Sequence, residues 1–235
     1  MSLNGCDIGV VIPAYNEEIR IKHTIKTLLH LPYIDRILVV DDGSLDNTAM
    51  VAVAAGAEVL SLTRNKGKAY AMKKGYESMD THIIVFLDGD IAEGAEQISN
   101  LVKPICEGKA AATIARFPMT PGKGGFGLVR TLAARGLQYL TGSTLSSVLS
   151  GQRAFLRNVI STEFFDYKGF GIEFGMTVDM LQKNVRILEI DVTMKHRTTG
   201  RDIQGFLHRF RQFNDILRVF LKKTKEKYDL GGWKS

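Results

Sequence analysis

The sequence predicts an α/β protein with a mixed, mostly parallel sheet flanked by helices, followed by a C-terminal amphipathic helix. In residues 1–115, short apolar runs alternate with segments of helical periodicity, which is the pattern of βαβ units. The apolar content is 45% over 235 residues, enough for one domain with a substantial core. No run approaches the roughly 20 apolar residues of a membrane-spanning helix, and the N-terminus lacks the pattern of a secretion signal.

The first half is predicted to alternate strands and helices. The first strand stops at Pro13, and the second helix begins at an Asp46 or Asn47 cap and stops at Gly56. The predicted strands are Ile8–Ile12, Arg36–Val40, Glu58–Leu62, Thr81–Leu87 and Ala110–Ile114. The predicted helices are Glu17–Leu29, 46–54, Gly67–Met79 and 94–105.

The order of elements changes after Arg116. Pro and Gly recur between residues 118 and 127 and predict a flexible loop that could act as a lid. A mixed region follows, then a strand at Arg186–Val192 and a long helix from Asp202 to about Tyr228. We therefore predict one domain over residues 1–235, with two functional halves that meet near residue 115.

The net charge of +6 is unevenly distributed. Residues 1–100 hold 9 Lys and Arg against 14 Asp and Glu, whereas residues 101–235 hold 22 against 11. The basic half could attract a phosphorylated acceptor, an acidic membrane surface or nucleic acid, or be an inert basic surface. No recognised nucleic-acid-binding module is present, so nucleic acid is not expected as a partner.

Two carboxylates, Asp88 and Asp90, follow the apolar run Val85–Leu87. If that run is a buried strand, both acids lie at its carboxyl end, where open α/β sheets bind ligands. Such a pair beside Gly89 suits a hard divalent cation that takes further ligands from water and a phosphorylated substrate. The alternative is a solvated Asp-Gly-Asp turn.

Other predicted strands also end in polar loops that would emerge at the same sheet edge. Tyr15 could stack on a base, Asp42 could accept a hydrogen bond from a base, and Lys68 could meet phosphate oxygens. Together these groups suit a nucleotide diphosphate, although each alone could be ordinary turn or cap chemistry. The spacing of a P-loop and the Gly-rich fingerprint of a Rossmann site are both absent.

Four linked motifs resemble the family 2 glycosyltransferases of the GT-A fold. They are VIPAYNEE at Val11–Glu18, VDDGSLDNT at Val40–Thr48, NKGKAYAMKKGY at Asn65–Tyr76 and FLDGD at Phe86–Asp90. The resemblance implies that residues 1–115 bind a UDP- or GDP-linked sugar and that residues 116–235 bind the acceptor. It also implies Mg²⁺ or Mn²⁺ as cofactor, with Asp90 as a metal ligand and Asp88 on metal or ribose. The implied donor-binding residues are Pro13, Ala14, Tyr15, Glu17, Asp42, Lys68, Asp88 and Gly89.

The C-terminal half carries less specific matches. The segment 150–155 is similar to part of the polyprenyl-phosphate sugar transferases, and 114–116 is similar to their arginine-bearing strand. The segment 196–201 resembles both their R-x-x-G loop and the histidine loop of glucosyl-3-phosphoglycerate synthases. The resemblance implies Arg116 as a catalytic residue, Arg153, Arg197 and Arg201 at an acceptor phosphate, and His196 as a third metal ligand. His196 departs from the first pattern, and a surface or core histidine remains the alternative.

The acceptor determines whether the reaction needs a general base. A phosphate nucleophile is already anionic, whereas a hydroxyl must lose a proton to a base. Glu173, in the segment 169–173, is the candidate base, with a structural carboxylate as the alternative. The expected function is metal-dependent transfer, with inversion, to a phosphorylated acceptor such as polyprenyl phosphate. A small hydroxy acid such as 3-phosphoglycerate is the first alternative; a nucleotidyltransferase and a non-catalytic nucleotide-sugar sensor are weaker ones.

The C-terminal segment is predicted to be an amphipathic helix with basic residues. Such a helix can lie in a membrane interface or pack its apolar stripe on the domain. We expect packing for Phe206–Phe213 and interfacial docking for the end beyond Ile216. The protein is accordingly expected in the cytoplasm, with the tail as a candidate contact to the inner face of the membrane.

Overall fold

The structure, a computed structural model, describes residues 5–118, 127–193 and 203–231. A seven-stranded sheet has the order β3-β2-β1-β4-β6-β5-β7. The strands are β1 Ile8–Ala14, β2 Arg36–Asp41, β3 Glu58–Ser61, β4 Ile83–Phe86, β5 Ala112–Arg116, β6 Arg153–Leu156 and β7 Ile187–Asp191. The helices are α1 Ile21–Leu29, α2 Thr48–Ala55, α3 Lys68–Ser78, α4 Ile98–Cys106, α5 Leu128–Thr141, α6 Gly171–Gln182 and α7 Ile203–Gly231. The predicted mixed, mostly parallel sheet flanked by helices is confirmed.

The direction of the strands brings the loops that follow β1, β2, β3 and β4 to one edge of the sheet. β1 pairs in parallel with β2 and β4, and β2 pairs in parallel with β3, so these strands end at the same edge. β6 alone runs against its neighbours β4 and β5, and its first residue, Arg153, lies opposite Phe86. The loop that precedes β6 therefore meets the loop that follows β4.

Both faces of the sheet are buried, which explains why its central strands read as continuous apolar runs. Val11, Val40 and Phe86 face one core cluster, while Ile12 and Val39 face the other. On the first face α3 lies close to β1, because a Cβ at Gly75 would be 2.2 Å from Cγ1 of Val11. This close packing fixes the start of α3 at the carboxyl edge of the sheet.

The boundaries of two helices differ from the predicted ones. The predicted helix 94–105 is a 3-10 helix at Ala92–Gln97 that continues as α4. Asn47 holds the N-cap position of α2 but makes no side-chain cap bond, whereas Gly56 ends α2 in the left-handed conformation as predicted. Residues 119–126 of the predicted lid lie outside the described residues.

The tail helix α7 packs against α5 and α6. Ile216 and Val219 are buried in the core, and Lys223 pairs with Asp179 at 2.6 Å, whereas Phe210 is 56% exposed. The helix from Ile216 to Lys223 thus packs one face on the domain, whereas membrane docking was expected for this end. Within the described ranges, no helix has the length and apolarity to cross a bilayer.

The packing of α7 predicts that two side-chain substitutions on this helix lower the free energy of unfolding by different amounts. Ile216→Ala should lower the free energy of unfolding by about 2–5 kcal/mol, because it leaves a cavity in the core. Leu221→Ala, at a side chain that is 58% exposed, should change it by less than about 0.5 kcal/mol. Urea unfolding of both variants measures the difference, and equal costs would contradict docking of α7 on the domain.

Candidate active site

The loops that follow β1 and β2 are held together by side chains of the VIPAYNEE and VDDGSLDNT motifs. The hydroxyl of Ser44 accepts from the backbone N–H of Asn16 at 3.0 Å, and the Asn16 side chain accepts from the N–H of Leu45 at 2.9 Å. The hydroxyl of Thr48 accepts from the N–H of Glu17 at 2.8 Å. Much of the polar content of these motifs therefore shapes the edge of the sheet.

Asp42 fastens the lysine loop to β2. Its carboxylate accepts from the backbone N–H groups of Lys66 and Gly67, both at 2.8 Å, and the residue is only 3% exposed. Gly43 allows the loops to approach, because a Cβ there would lie 2.5 Å from the carbonyl carbon of Arg64. The structure therefore gives Asp42 a positioning role in addition to the base contact that the sequence predicts.

Lys68, at the start of α3, links two carboxylates from distant parts of the chain. Its ammonium lies 2.8 Å from Oδ1 of Asp88 and 2.9 Å from Oε1 of Glu173. Burial by itself would lower the pKa of Lys68, but the two carboxylates outweigh it and raise that pKa above its usual range. Lys68 is consequently a permanent positive charge between Asp88 and Glu173.

The loop before β6 closes over Asp88. The side-chain amide of Gln152 donates to Oδ2 of Asp88 at 2.7 Å. A Cβ at Gly151 would be 2.7 Å from Nζ of Lys68 and 2.9 Å from Oδ2 of Asp88. The ion pair therefore fits only because residue 151 has no side chain.

The residues predicted to hold a divalent cation fit that role in type. The Asp88 carboxylate contacts the ammonium of Lys68 and the side-chain amide of Gln152, so its surroundings favour cations and hydrogen-bond donors. Asp90 follows it and supplies a second hard oxygen donor. In the described part of the chain, no cluster of three His, Cys, Asp or Glu residues is arranged around a metal position. Two carboxylates would leave the remaining positions to water and phosphate, and His196 lies outside the described residues.

Glu173 is in the first turn of α6 and its side chain is 8% exposed. Its contact with Lys68 links α6 to the start of α3 and, through the same ammonium, to Asp88 after β4. The structure thus shows Glu173 as an ion-pair partner of Lys68. Its role as general base stays a prediction.

Arg153 lies in the interior, which argues against its predicted contact with an acceptor phosphate. The residue is 1% exposed, and its guanidinium donates to backbone carbonyls of Val148, Ser150 and Glu173 at 2.6 to 3.4 Å. Burial lowers the pKa of Arg153 to about 10, which still leaves the group charged at neutral pH. The geometry therefore assigns Arg153 to the support of the loop before β6.

Arg116 ends β5 at the same edge of the sheet. Its guanidinium makes a two-point contact with the carboxylate of Asp191 on β7, at 2.5 and 2.7 Å. Hydrogen bonds in this pair raise the pKa of Arg116 and lower that of Asp191. Its guanidinium thus ties β5 to β7, and the catalytic role that the resemblance implies stays a prediction. Arg197 and Arg201 lie outside the described residues.

The other predicted donor residues surround the same edge. Pro13 and Ala14 end β1, and Tyr15 beyond them is 42% exposed, as a side chain that stacks on a base must be. Glu17 lies beside Gly89, where a Cβ would be 3.5 Å from Cγ of Glu17. These residues lie at the edge of the sheet where β1 and β4 end, and their contacts with a donor stay a prediction.

A cavity of about 200 Å³ adjoins Asp88 on the side of α5. Arg130 from α5 and the hydroxyl-bearing Ser146, Ser147 and Ser150 are among its lining residues. Gln152 lies in the segment 150–155 that resembles the polyprenyl-phosphate sugar transferases, but no role was predicted for it. Arg130 was not predicted, because no motif marks the helix that carries it.

A family model of glycosyltransferases and two related enzymes match this chain. A family model described as "Glycosyl transferase family 2" matches residues 9–163. A glucosyl-3-phosphoglycerate synthase of Mycobacterium tuberculosis is 30% identical over 76% of this chain and 62% of its own length. An undecaprenyl-phosphate 4-deoxy-4-formamido-L-arabinose transferase of Shewanella sediminis is 28% identical over 89% of this chain and 65% of its own length. The chain thus spans less than two thirds of each of these curated relatives.

The fold is also found among solved structures. A crystal structure of glucosyl-3-phosphoglycerate synthase from Mycobacterium tuberculosis, in complex with Mg²⁺ and uridine diphosphate, superposes with a TM-score of 0.76. The two sequences are 26% identical, and the match covers 94% of this chain and 82% of the other.

The role of Asp42 can be tested through stability. Asp42→Asn places an amide opposite one of the two N–H donors, so the free energy of unfolding should fall by about 1–3 kcal/mol. Asp80→Asn is the control, because the Asp80 side chain is 85% exposed and its surface ion pair should contribute at most about 1 kcal/mol. Chemical denaturation compares them, and an unchanged stability in Asp42→Asn would refute the proposed anchor.

Proposed function

The chain belongs to glycosyl transferase family 2, and we propose that it transfers a sugar from a nucleotide diphosphate sugar to a phosphorylated acceptor. The observation that carries this proposal is that four loops converge at one edge of the sheet, beside the cavity that Asp88 lines. These loops carry Tyr15, Asp42, Lys68 and Asp88. Stacking, hydrogen-bonding, cationic and metal-binding groups are then available in one crevice, as a nucleotide diphosphate requires.

The donor is proposed to be UDP-linked, with a GDP-linked sugar as the alternative. The similar synthase binds uridine diphosphate in its crystal structure. In this chain, Tyr15 would stack on the base, Asp42 and Glu17 would lie near base and ribose, and Lys68 would meet the diphosphate. Asp88 and Asp90 would hold Mg²⁺ or Mn²⁺, which would neutralise charge on the leaving diphosphate.

The acceptor is proposed to be a polyprenyl phosphate. The supporting observation is the Lys68–Glu173 ion pair, because a phosphate oxygen needs no general base and can attack while Lys68 still contacts Glu173. The acceptor oxygen would attack the anomeric carbon from the side opposite the leaving diphosphate, which inverts the configuration. The undecaprenyl-phosphate transferase among the relatives supports the same class of acceptor.

A second candidate is transfer to a small phosphorylated hydroxy acid such as 3-phosphoglycerate. The likeness to glucosyl-3-phosphoglycerate synthase favours it. A hydroxyl acceptor would require Glu173 or another group to take its proton, so Lys68 would have to leave Glu173 before the reaction. Both candidates share an acceptor phosphate, and they differ in the nucleophile.

Arg130 is proposed to bind that acceptor phosphate. It is exposed and lines the cavity beside Asp88, where the hydroxyl of Ser147 is a further possible hydrogen-bond donor. A guanidinium matches the geometry of phosphate oxygens. A lipid acceptor would also require the protein to approach a membrane surface from the cytoplasm, with the exposed Phe210 and Arg211 of α7 as the candidate contact.

The donor half can be tested with Asp90→Ala. This variant should lose at least about 100-fold in metal-dependent turnover, since it removes a proposed ligand of the cation. Asp80→Ala, on the opposite edge of the sheet, is the control with the same change of charge. The assay is nucleotide release from UDP- and GDP-sugars with Mn²⁺, and full activity of Asp90→Ala would sink the assignment.

The acceptor half can be tested with Arg130→Ala. Loss of one charge-assisted bond should raise the acceptor KM about 10- to 100-fold and leave donor binding unchanged. Arg135→Ala, an exposed arginine on the same helix that does not line the cavity, should behave as the wild type. Product formation with polyprenyl phosphate and with 3-phosphoglycerate identifies the acceptor, and an unchanged KM in Arg130→Ala would remove this residue from the site.

A further inference from the structure

We propose that Lys68 is a built-in counter-cation that occupies Asp88 in the donor-free protein, so that the divalent cation binds tightly only together with the donor. This inference rests on the proposed function, because it concerns the order in which the donor and the cation enter the site. It makes Lys68 a positioning residue that changes partners, from a carboxylate in the empty protein to the diphosphate in the loaded one.

The contacts of Asp88 support this proposal. Lys68 approaches Oδ1 at 2.8 Å, and the amide of Gln152 approaches Oδ2 at 2.7 Å. Both oxygens of the carboxylate therefore hold a hydrogen-bond donor from the protein. A cation such as Mg²⁺, which requires carboxylate oxygens at about 2.0–2.1 Å, would have to bind beside the ammonium.

Electrostatic repulsion makes that arrangement unfavourable. A divalent cation on Asp88 and an ammonium at its hydrogen-bond distance would bring like charges within a few ångströms in a partly buried site. Binding of the cation therefore requires Lys68 to move away from Asp88. The diphosphate of the donor offers the alternative anion for Lys68 and additional oxygen ligands for the cation, which couples the two binding events.

The surroundings of Lys68 allow this exchange. Its side chain is 35% exposed and extends from the first residue of α3, so the ammonium can move on its flexible stem without moving the helix. Glu173 is the second partner of Lys68, at 2.9 Å, and its carboxylate is buried. Lys68 can turn away from Asp88 and still contact Glu173, so the Glu173 carboxylate keeps its countercharge. Gly151 adds no side chain beside the ammonium that would block the movement.

The test is direct binding of Mn²⁺, followed by electron paramagnetic resonance, with and without UDP or GDP. In the wild type, donor-free binding should be weak and the nucleotide should tighten it strongly. In Lys68→Met, donor-free binding should tighten at least about tenfold, because the competing charge is gone, and the effect of the nucleotide should shrink. Lys68→Arg keeps the charge and should bind donor-free Mn²⁺ as weakly as the wild type.

Lys73→Met is the matched control. Lys73 lies on the same helix and pairs with Asp166 at 2.9 Å away from the site, so its loss should leave donor-free Mn²⁺ binding at the wild-type level. Lys68→Gln, whose amide can still donate to Glu173, is the neutral variant to use should Lys68→Met fail to fold. Thermal unfolding of each variant establishes that it is folded.

The outcomes separate this inference from the proposed function. If nucleotide tightens Mn²⁺ binding in the wild type but the neutral Lys68 variants leave donor-free binding unchanged, the counter-cation proposal is wrong and the proposed function stands. Equal tightening in Lys73→Met would also overturn it, since the effect would be one of overall charge. If the wild type binds no Mn²⁺ even with saturating UDP or GDP, both proposals fail.

Discussion

Parallel pairing of β1 through β4 is the constraint on which the site depends. Strands that run the same way end at the same edge, so Tyr15, Asp42 and Asp88 approach one another although their loops are separated by whole helices. The reversal of β6 adds the loop before Arg153 to that edge. Burial of both faces of the sheet holds this arrangement, because a one-residue shift in register would move each side chain of a strand into the opposite core, where it would not fit its neighbours.

Polar residues at this edge of the sheet make hydrogen bonds and ion pairs with one another. Asp42 holds the lysine loop through two backbone N–H groups, and that loop begins α3 at Lys68. Lys68 then joins Asp88, which follows β4, to Glu173 of α6. A ligand that attracts Lys68 would therefore also change the surroundings of Glu173.

Sequence patterns predicted the convergence of the loops after β1, β2 and β4 well, and the contacts of Arg116 and Arg153 poorly. The strands that precede Asp42 and Asp88 are apolar runs with clear ends, and parallel topology then requires their convergence. The burial of Arg153 could not be predicted, because an arginine in a segment resembling a transferase motif suggests a ligand contact. Its carbonyl partners come from a loop and a helix whose packing depends on tertiary structure. The stripe of α7 was recognised, but periodicity alone does not show that Ile216 faces α5 and α6 while Phe210 faces solvent.

The central claim is that the carboxyl edge of the sheet binds a nucleotide diphosphate together with a divalent cation held by Asp88 and Asp90. A crystal structure of the protein with Mn²⁺ and UDP, measured at a wavelength where manganese scatters anomalously, tests it most directly. The account predicts an anomalous peak within about 2.0–2.3 Å of a carboxylate oxygen of Asp90, with diphosphate oxygens among its ligands and Lys68 turned away from Asp88. A nucleotide bound elsewhere, or manganese bound without contact to either carboxylate, would contradict it.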